Sequence, residues 1–106
     1  MGFGLGMETE KLQEREIKGR YQKVAVDCWF TSNGKVILRF LKYQDEDGFL
    51  HTLKDIRLRK SEKKYYAGIL QHRYDCSAVV EEVEQEFILL YRPNENSWHM
   101  VLPDGN

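Results

Sequence analysis

Between Tyr43 and Leu53 the chain reads YQDEDGFLHTL, three acids and a glycine between two apolar runs. Such an oxygen-rich cluster raises the question of calcium. An EF-hand loop needs oxygen ligands at its first, third and fifth positions, glycine at the sixth and a bidentate glutamate at the twelfth. With Gly48 at the sixth position, Asp45 and Asp47 occupy the third and fifth, but Tyr43 is the first and Lys54 the twelfth. A cation where the bidentate carboxylate belongs excludes the calcium reading. Asp47-Gly48 is instead turn chemistry, suited to positive φ at both centres of a type I′ turn, and it predicts a hairpin between residues 36–43 and 49–53.

Nucleophilic catalysis needs Cys or Ser beside a His and an orienting acid. Cys28, His51, His72 and His99 supply the types, but no nucleophile elbow or other local signature accompanies them, so no enzymatic activity is expected. His72 and Cys76 are four apart, which on a strand is roughly 13 Å at 3.3 Å per residue, too far to share one metal. No CxxC pair supports zinc. The glycines of MGFGLG miss the GxGxxG spacing and do not follow a strand, so a dinucleotide loop is excluded, and no cofactor is expected. Glu82 and Glu84 fall in a turn with no apolar pocket to raise a carboxyl pKa and read as solvated charge.

The residues that speak most for binding are Arg57, Arg59, Lys60, Lys63, Lys64, Tyr65, Tyr66, Arg73 and Tyr74, in RLRKSEKKYY and the nearby HRY. Cations contact phosphates and tyrosines stack on bases, the combination used for single-stranded nucleic acid. Residues 54–75 carry seven basic and three acidic side chains, a sum of +4, and residues 76–106 carry one basic and six acidic, a sum of −5. The whole-chain pI of about 6.3 lies below that of typical nucleic-acid binders. The competing reading is a solvated hairpin whose lysines discourage edge pairing.

The elements that must position these residues follow from a period of two. In YQKVAVDCWFT, Val24, Val26, Cys28 and Phe30 alternate with Lys23, Ala25, Asp27, Trp29 and Thr31, predicting a strand with one buried face. Ser32-Asn33-Gly34 turns the chain into VILRFLKY. Further strands are predicted in FLHTL and DIRLRK, with SEKK as the next turn, then in YYAGILQHRYDCSAVV, split at Gly68 as a bulge or bend. In that run Leu70, His72, Tyr74, Cys76, Ala78 and Val80 share the inward face. A turn near EEVE precedes QEFILLYR, and residues 93–97 turn into WHMVLP. The expectation is an all-β domain over residues 21–103: a small antiparallel barrel or strongly bent sheet of six to seven short strands. Residues 1–20 read as a short helix or mobile tail and 104–106 as a C-terminal tail.

The motifs SNGKVI, YQDEDGFLHTLKDI, AGIL, RYDC and EFILLY with a late tryptophan resemble a group of short uncharacterised bacterial β-rich proteins. The resemblance covers roughly residues 22–102, with Leu38 where the group commonly has proline, and implies a β fold without implying an activity.

At 106 residues, 42% hydrophobic and 31% charged, the chain has one domain's worth of core, and no apolar run reaches the roughly 18 residues of a spanning helix. No membrane association is expected, and the sequence identifies no small-molecule substrate. The N-terminal residues lack a secretory pattern, and Cys28 and Cys76 read as buried thiols, so a cytoplasmic setting is expected. Residues 87–91 and much of 36–41 are apolar on both faces, which calls for cover by the N-terminal segment or by a second copy. The functional expectation is therefore a non-enzymatic binding or assembly module, a homodimer among its forms, with single-stranded nucleic-acid binding through residues 54–75 as the alternative.

Overall fold

A computed structural model of the chain describes residues 19–102. Seven strands form: β1 (Arg20–Phe30), β2 (Val36–Gln44), β3 (Leu50–Lys54), β4 (Arg57–Tyr66), β5 (Ile69–Val80), β6 (Val83–Arg92) and β7 (Ser97–Leu102). They pair antiparallel in the order β3-β2-β1-β7-β6-β5-β4, a strongly curled half-barrel. The sheet turns its corner inside β1, whose residues 20–24 pair with β7 and residues 25–30 with β2. Asp55, with φ of 54°, makes a second corner, where β3 leaves β2 and becomes β4. The expected terminal helix or tails, and the N-terminal cover, lie outside the described residues. Among the described residues no helix is long and apolar enough to cross a membrane.

The concave side holds the core. Leu41, Leu53, Tyr74, Cys76, Ala78, Phe87, Leu89 and Met100 are buried there, with Val24, Val26 and Leu38 packed against them. The double apolarity of β2 has a local cause. Cys28 pairs with Leu38 and Asp27 with Phe40, so Arg39 is an extra residue in β2. The bulge switches the inward parity, and Val36 and Leu38 point to the core before it, Leu41 and Tyr43 after it. In β6 the double apolarity is real: Phe87, Leu89 and Tyr91 face the core, while Leu90 and Val101, 2% and 0% exposed, form a convex-side cluster with Ile88.

Two turn expectations need correction. SEKK is no turn but the middle of β4. That strand lies at the sheet edge and is solvated on nearly every residue, so it lacks the apolar alternation that marks a strand. Nor is Asp47-Gly48 a type I′ turn. Asp45 N donates to Phe49 O at 2.9 Å and Gly48 N to Asp45 O at 3.0 Å, and positive φ falls on Gly48 alone, the three-residue hairpin with glycine in the left-handed position. Ala67-Gly68, with φ of 52° and 83°, forms a two-residue hairpin loop, so the run does divide at Gly68, by a sharp reversal and not by a bulge.

Glu81 and Glu82 form the other two-residue loop with φ of 52° and 68°. Left-handed φ costs a non-glycine residue roughly 1–2 kcal/mol, and this loop asks it of two acids side by side. The double substitution E81N/E82G, which installs the asparagine-glycine pair that such a loop favours, should raise the unfolding free energy by about 1 kcal/mol. Urea denaturation checks this, and an unchanged midpoint would show that the loop carries no such strain.

Candidate functional site

Register assembles the site. On the concave face Lys63 of β4 lies opposite His72 of β5, His72 opposite Tyr91 of β6, Tyr91 opposite Trp98 of β7, and Trp98 opposite Val24 of β1. One cross-strand row therefore carries an ammonium at the sheet edge followed by three aromatic rings. Phe30, at the end of β1, folds over this row from the other arm of the curl. Its ring centroid is 5.7 Å from that of Tyr91, and it remains 53% exposed, which corrects the expectation that Phe30 continues the buried face.

The rings contact one another in aromatic geometries. Tyr91 and Trp98 lie 4.7 Å apart, Tyr74 stacks on Trp98 at 5.9 Å, and His72 meets Tyr91 edge-on at 5.9 Å. The hairpin loops hold them in place. Thr31 N donates to Lys35 O at 2.8 Å and Lys35 N to Thr31 Oγ1 at 3.1 Å, which closes the β1–β2 loop beside Phe30. Tyr91 Oη donates to Asn96 Oδ1 at 3.3 Å across the β6–β7 loop.

Beside the Lys63–His72 end of the row lies an open cleft of about 650 Å³. The β1–β2 hairpin lines one wall with Phe30, Lys35 and Val36, β4 lines the other with Leu58, Ser61 and Lys63, and His72 and Tyr74 lie between. His72 Nδ1 and Tyr74 Oη are 3.1 Å apart. Burial, with help from the nearby Lys63 charge, holds the His72 imidazolium below its usual range, so the ring is neutral at pH 7 and offers both a donor and an acceptor. Burial above all pushes the Tyr74 phenol up to about 12. The buried Cys76, its thiol directed at Tyr74 O at 3.4 Å, rises to about 12 for the same reason, and Cys28 is raised as well. Both thiols are free and stay protonated at neutral pH. The cleft thus presents the half-exposed Phe30 ring, a neutral imidazole, the Lys35 and Lys63 ammonium groups and the Glu62 carboxylate.

The nine basic and tyrosine residues singled out by sequence do not form one surface. They lie on the β4–β5 hairpin, whose register sends Lys63, Tyr65 and Tyr74 to the concave side and Arg57, Lys60, Lys64, Tyr66 and Arg73 to the convex side. Arg59 sits at the β4 bulge and is bonded to Glu86, while Arg73 Nε donates to Asp75 Oδ1 at 2.8 Å. Tyr74 is 5% exposed and belongs to the core, whereas Tyr65 is 68% exposed. Phe30, Lys35, Tyr91 and Trp98 escaped the sequence reading. The alternation of β6 places Tyr91 with Phe87 and Leu89, but nothing local announces that a ring at position 30 meets one at 91.

The acidic loop resolves differently from a cation site. Asp45 Oδ1 accepts from Asp47 N and Phe49 N, both at 2.9 Å, and Asp45 Oδ2 lies 2.6 Å from His51 Nε2. His51 stacks on Tyr43 with centroids 5.0 Å apart. These bonds, that to His51 first, hold the exposed Asp45 carboxyl below its ordinary range, and its oxygens are committed to the turn. Among the described residues no group of three or more His, Cys, Asp or Glu side chains is placed to hold a metal.

Comparison with known protein families, with curated proteins and with solved structures finds no match to this chain.

The neutral imidazole of His72 carries a pH signature. Its folded pKa lies below its unfolded value near 6.5, so the unfolded state binds more protons as pH falls through that range, and stability drops with it. His99, lowered by burial and by Arg92, adds in the same direction. The stability advantage of the wild type over H72Q should therefore shrink between pH 7.5 and pH 5.5, read as the difference in Tm. A difference independent of pH would remove His72 from this role.

Proposed function

We propose that the chain is a non-enzymatic binding module whose ligand lodges in the aromatic cleft. The carrying observation is the cross-strand row Lys63, His72, Tyr91, Trp98, roofed by Phe30. Phe30 and His72 line the cleft itself, bordered by Lys35, Lys63 and Glu62, and Tyr91 backs both rings at 5.7 and 5.9 Å. The volume falls in the range of roughly 300–1,000 Å³ in which ligand pockets lie. The half-exposed Phe30 ring favours flat or apolar groups, and Lys35 and Lys63 against Glu62 leave a net positive lining that favours an anionic one.

Partners beyond that ligand belong to the same proposal. An exposed apolar surface that suits a second copy is the convex pair Trp29 and Ile37, opposite one another on β1 and β2 and 57% and 46% exposed, with the Arg39 guanidinium 5.1 Å over the indole. Single-stranded nucleic acid is the second reading, supported by Lys63 and exposed Tyr65, which share the concave side with the cleft. Against it, Arg59 and Arg73 are already paired with acids. A cytoplasmic setting suits two free thiols. The resemblance to short bacterial β-rich proteins adds no activity to the proposal.

The aromatic anion 8-anilinonaphthalene-1-sulfonate is a direct probe. It should bind the folded protein, and Phe30→Ala, which removes an exposed ring and spares the core, should weaken binding roughly three- to tenfold. Absence of binding, or equal binding by the variant, would overturn the cleft as the site. Anisotropy of a labelled oligothymidylate in low salt separates the second reading: binding that collapses as salt rises would favour nucleic acid.

A further inference from the structure

We infer that the cleft takes an extended polypeptide strand, acidic and alternately apolar, which pairs through its backbone with β4. The inference rests on the cleft being a binding site, and it names the chemical class of the occupant.

The half-barrel is incomplete at this place. β3 pairs with residues 40–44 of β2 and then departs at the Asp55 corner. Residues 36–39 of β2 consequently have no strand on the side away from β1, and β4 has none on the side away from β5, among the described residues. Every second residue on such an edge directs its N–H and C=O outward. These two unpaired edges belong to the strands that wall the cleft, with Val36 on one side and Leu58, Ser61 and Lys63 on the other. An added strand gains affinity from main-chain hydrogen bonds and specificity from pockets for alternate side chains. Here alternate side chains would enter the space lined by Phe30, His72 and Tyr74, which selects apolar residues.

Charge selects the rest and argues against the chain's own β4 as occupant. Within Arg57–Tyr66 five cations, Arg57, Arg59, Lys60, Lys63 and Lys64, stand against Glu62 alone, and with Arg59 paired to Glu86 and Lys64 to Glu62 the edge keeps an excess of positive charge. Two such edges brought together repel, the usual protection of an edge strand. A strand with its apolar residues in the cleft sets its acids on the convex side, beside Arg57, Lys60 and Lys64.

The test uses a fluorescein-labelled pool of nine-residue peptides with Asp or Glu at alternate positions and Val, Ile, Leu or Phe between them. A pool with Lys in place of the acids is the control. The acidic pool should bind the full chain better than the Lys pool, and Lys60→Glu, on the convex side that the acids would share, should abolish that preference. Amide hydrogen exchange read by NMR should slow at every second residue between positions 57 and 66, by about tenfold at ten times the Kd. Peptide binding without β4 protection, or binding of the sulfonate probe without binding of the acidic pool, would overturn strand pairing and leave the cleft standing. Failure of peptide and sulfonate alike would remove both, and protection of β4 by oligothymidylate instead of peptide would assign the edge to nucleic acid.

Discussion

The pairing of β1 with β7 is the constraint on which the rest of this fold depends. Each other ladder joins strands adjacent in sequence, closed by loops of two to a few residues, whereas Arg20 pairs with Leu102 and Val24 with Trp98 across most of the chain. That ladder fuses the arm β1–β3 to the arm β4–β7. Without it Phe30 has no reason to meet Tyr91, and neither arm alone encloses a core. Loop-closure entropy for so distant a pair must be offset by burial, and the burial is at hand: Met100 and Val101 of β7 are fully enclosed, one on each face of the sheet.

That dependence separates what the sequence makes legible from what it does not. Strand content is legible because alternation and turn residues are local: the period of two in β1, the glycine loops and the inward set of β5 each speak from within about ten residues. The bulge at Arg39 was hidden, since one inserted residue makes a one-faced strand look apolar on both faces. β4 was hidden for the opposite reason. An edge strand wetted on both faces has no apolar alternation, so its lysines and serine mimic a turn. The Glu81-Glu82 loop was legible only as a polar interruption, because its chemistry contradicts the geometry it adopts.

The candidate site was legible in part. The basic segment pointed to the β4–β5 hairpin, and Lys63 does stand at the edge of the cleft. Composition, however, sums charges that the pleat then separates: residues one apart in sequence face opposite sides, and Arg59 and Arg73 meet Glu86 and Asp75. The aromatic row needed register across four strands, and one-dimensional patterning carries no register between distant strands.

The cleft and the open edge have one origin. Had β3 continued beside residues 36–39, it would have covered the mouth of the aromatic row and left β4 less exposed; instead the Asp55 corner carries the chain across to the far wall. A barrel left open there faces two physical demands, to keep water from its rings and to keep its edges from pairing indiscriminately. The row answers the first incompletely, with Phe30 half exposed. The lysines of β4 answer the second by repulsion, which acts only against like charge. The same side chains that keep two copies apart therefore admit an acidic strand, and the rings left partly wet by the missing strand are the surface such a strand would dry.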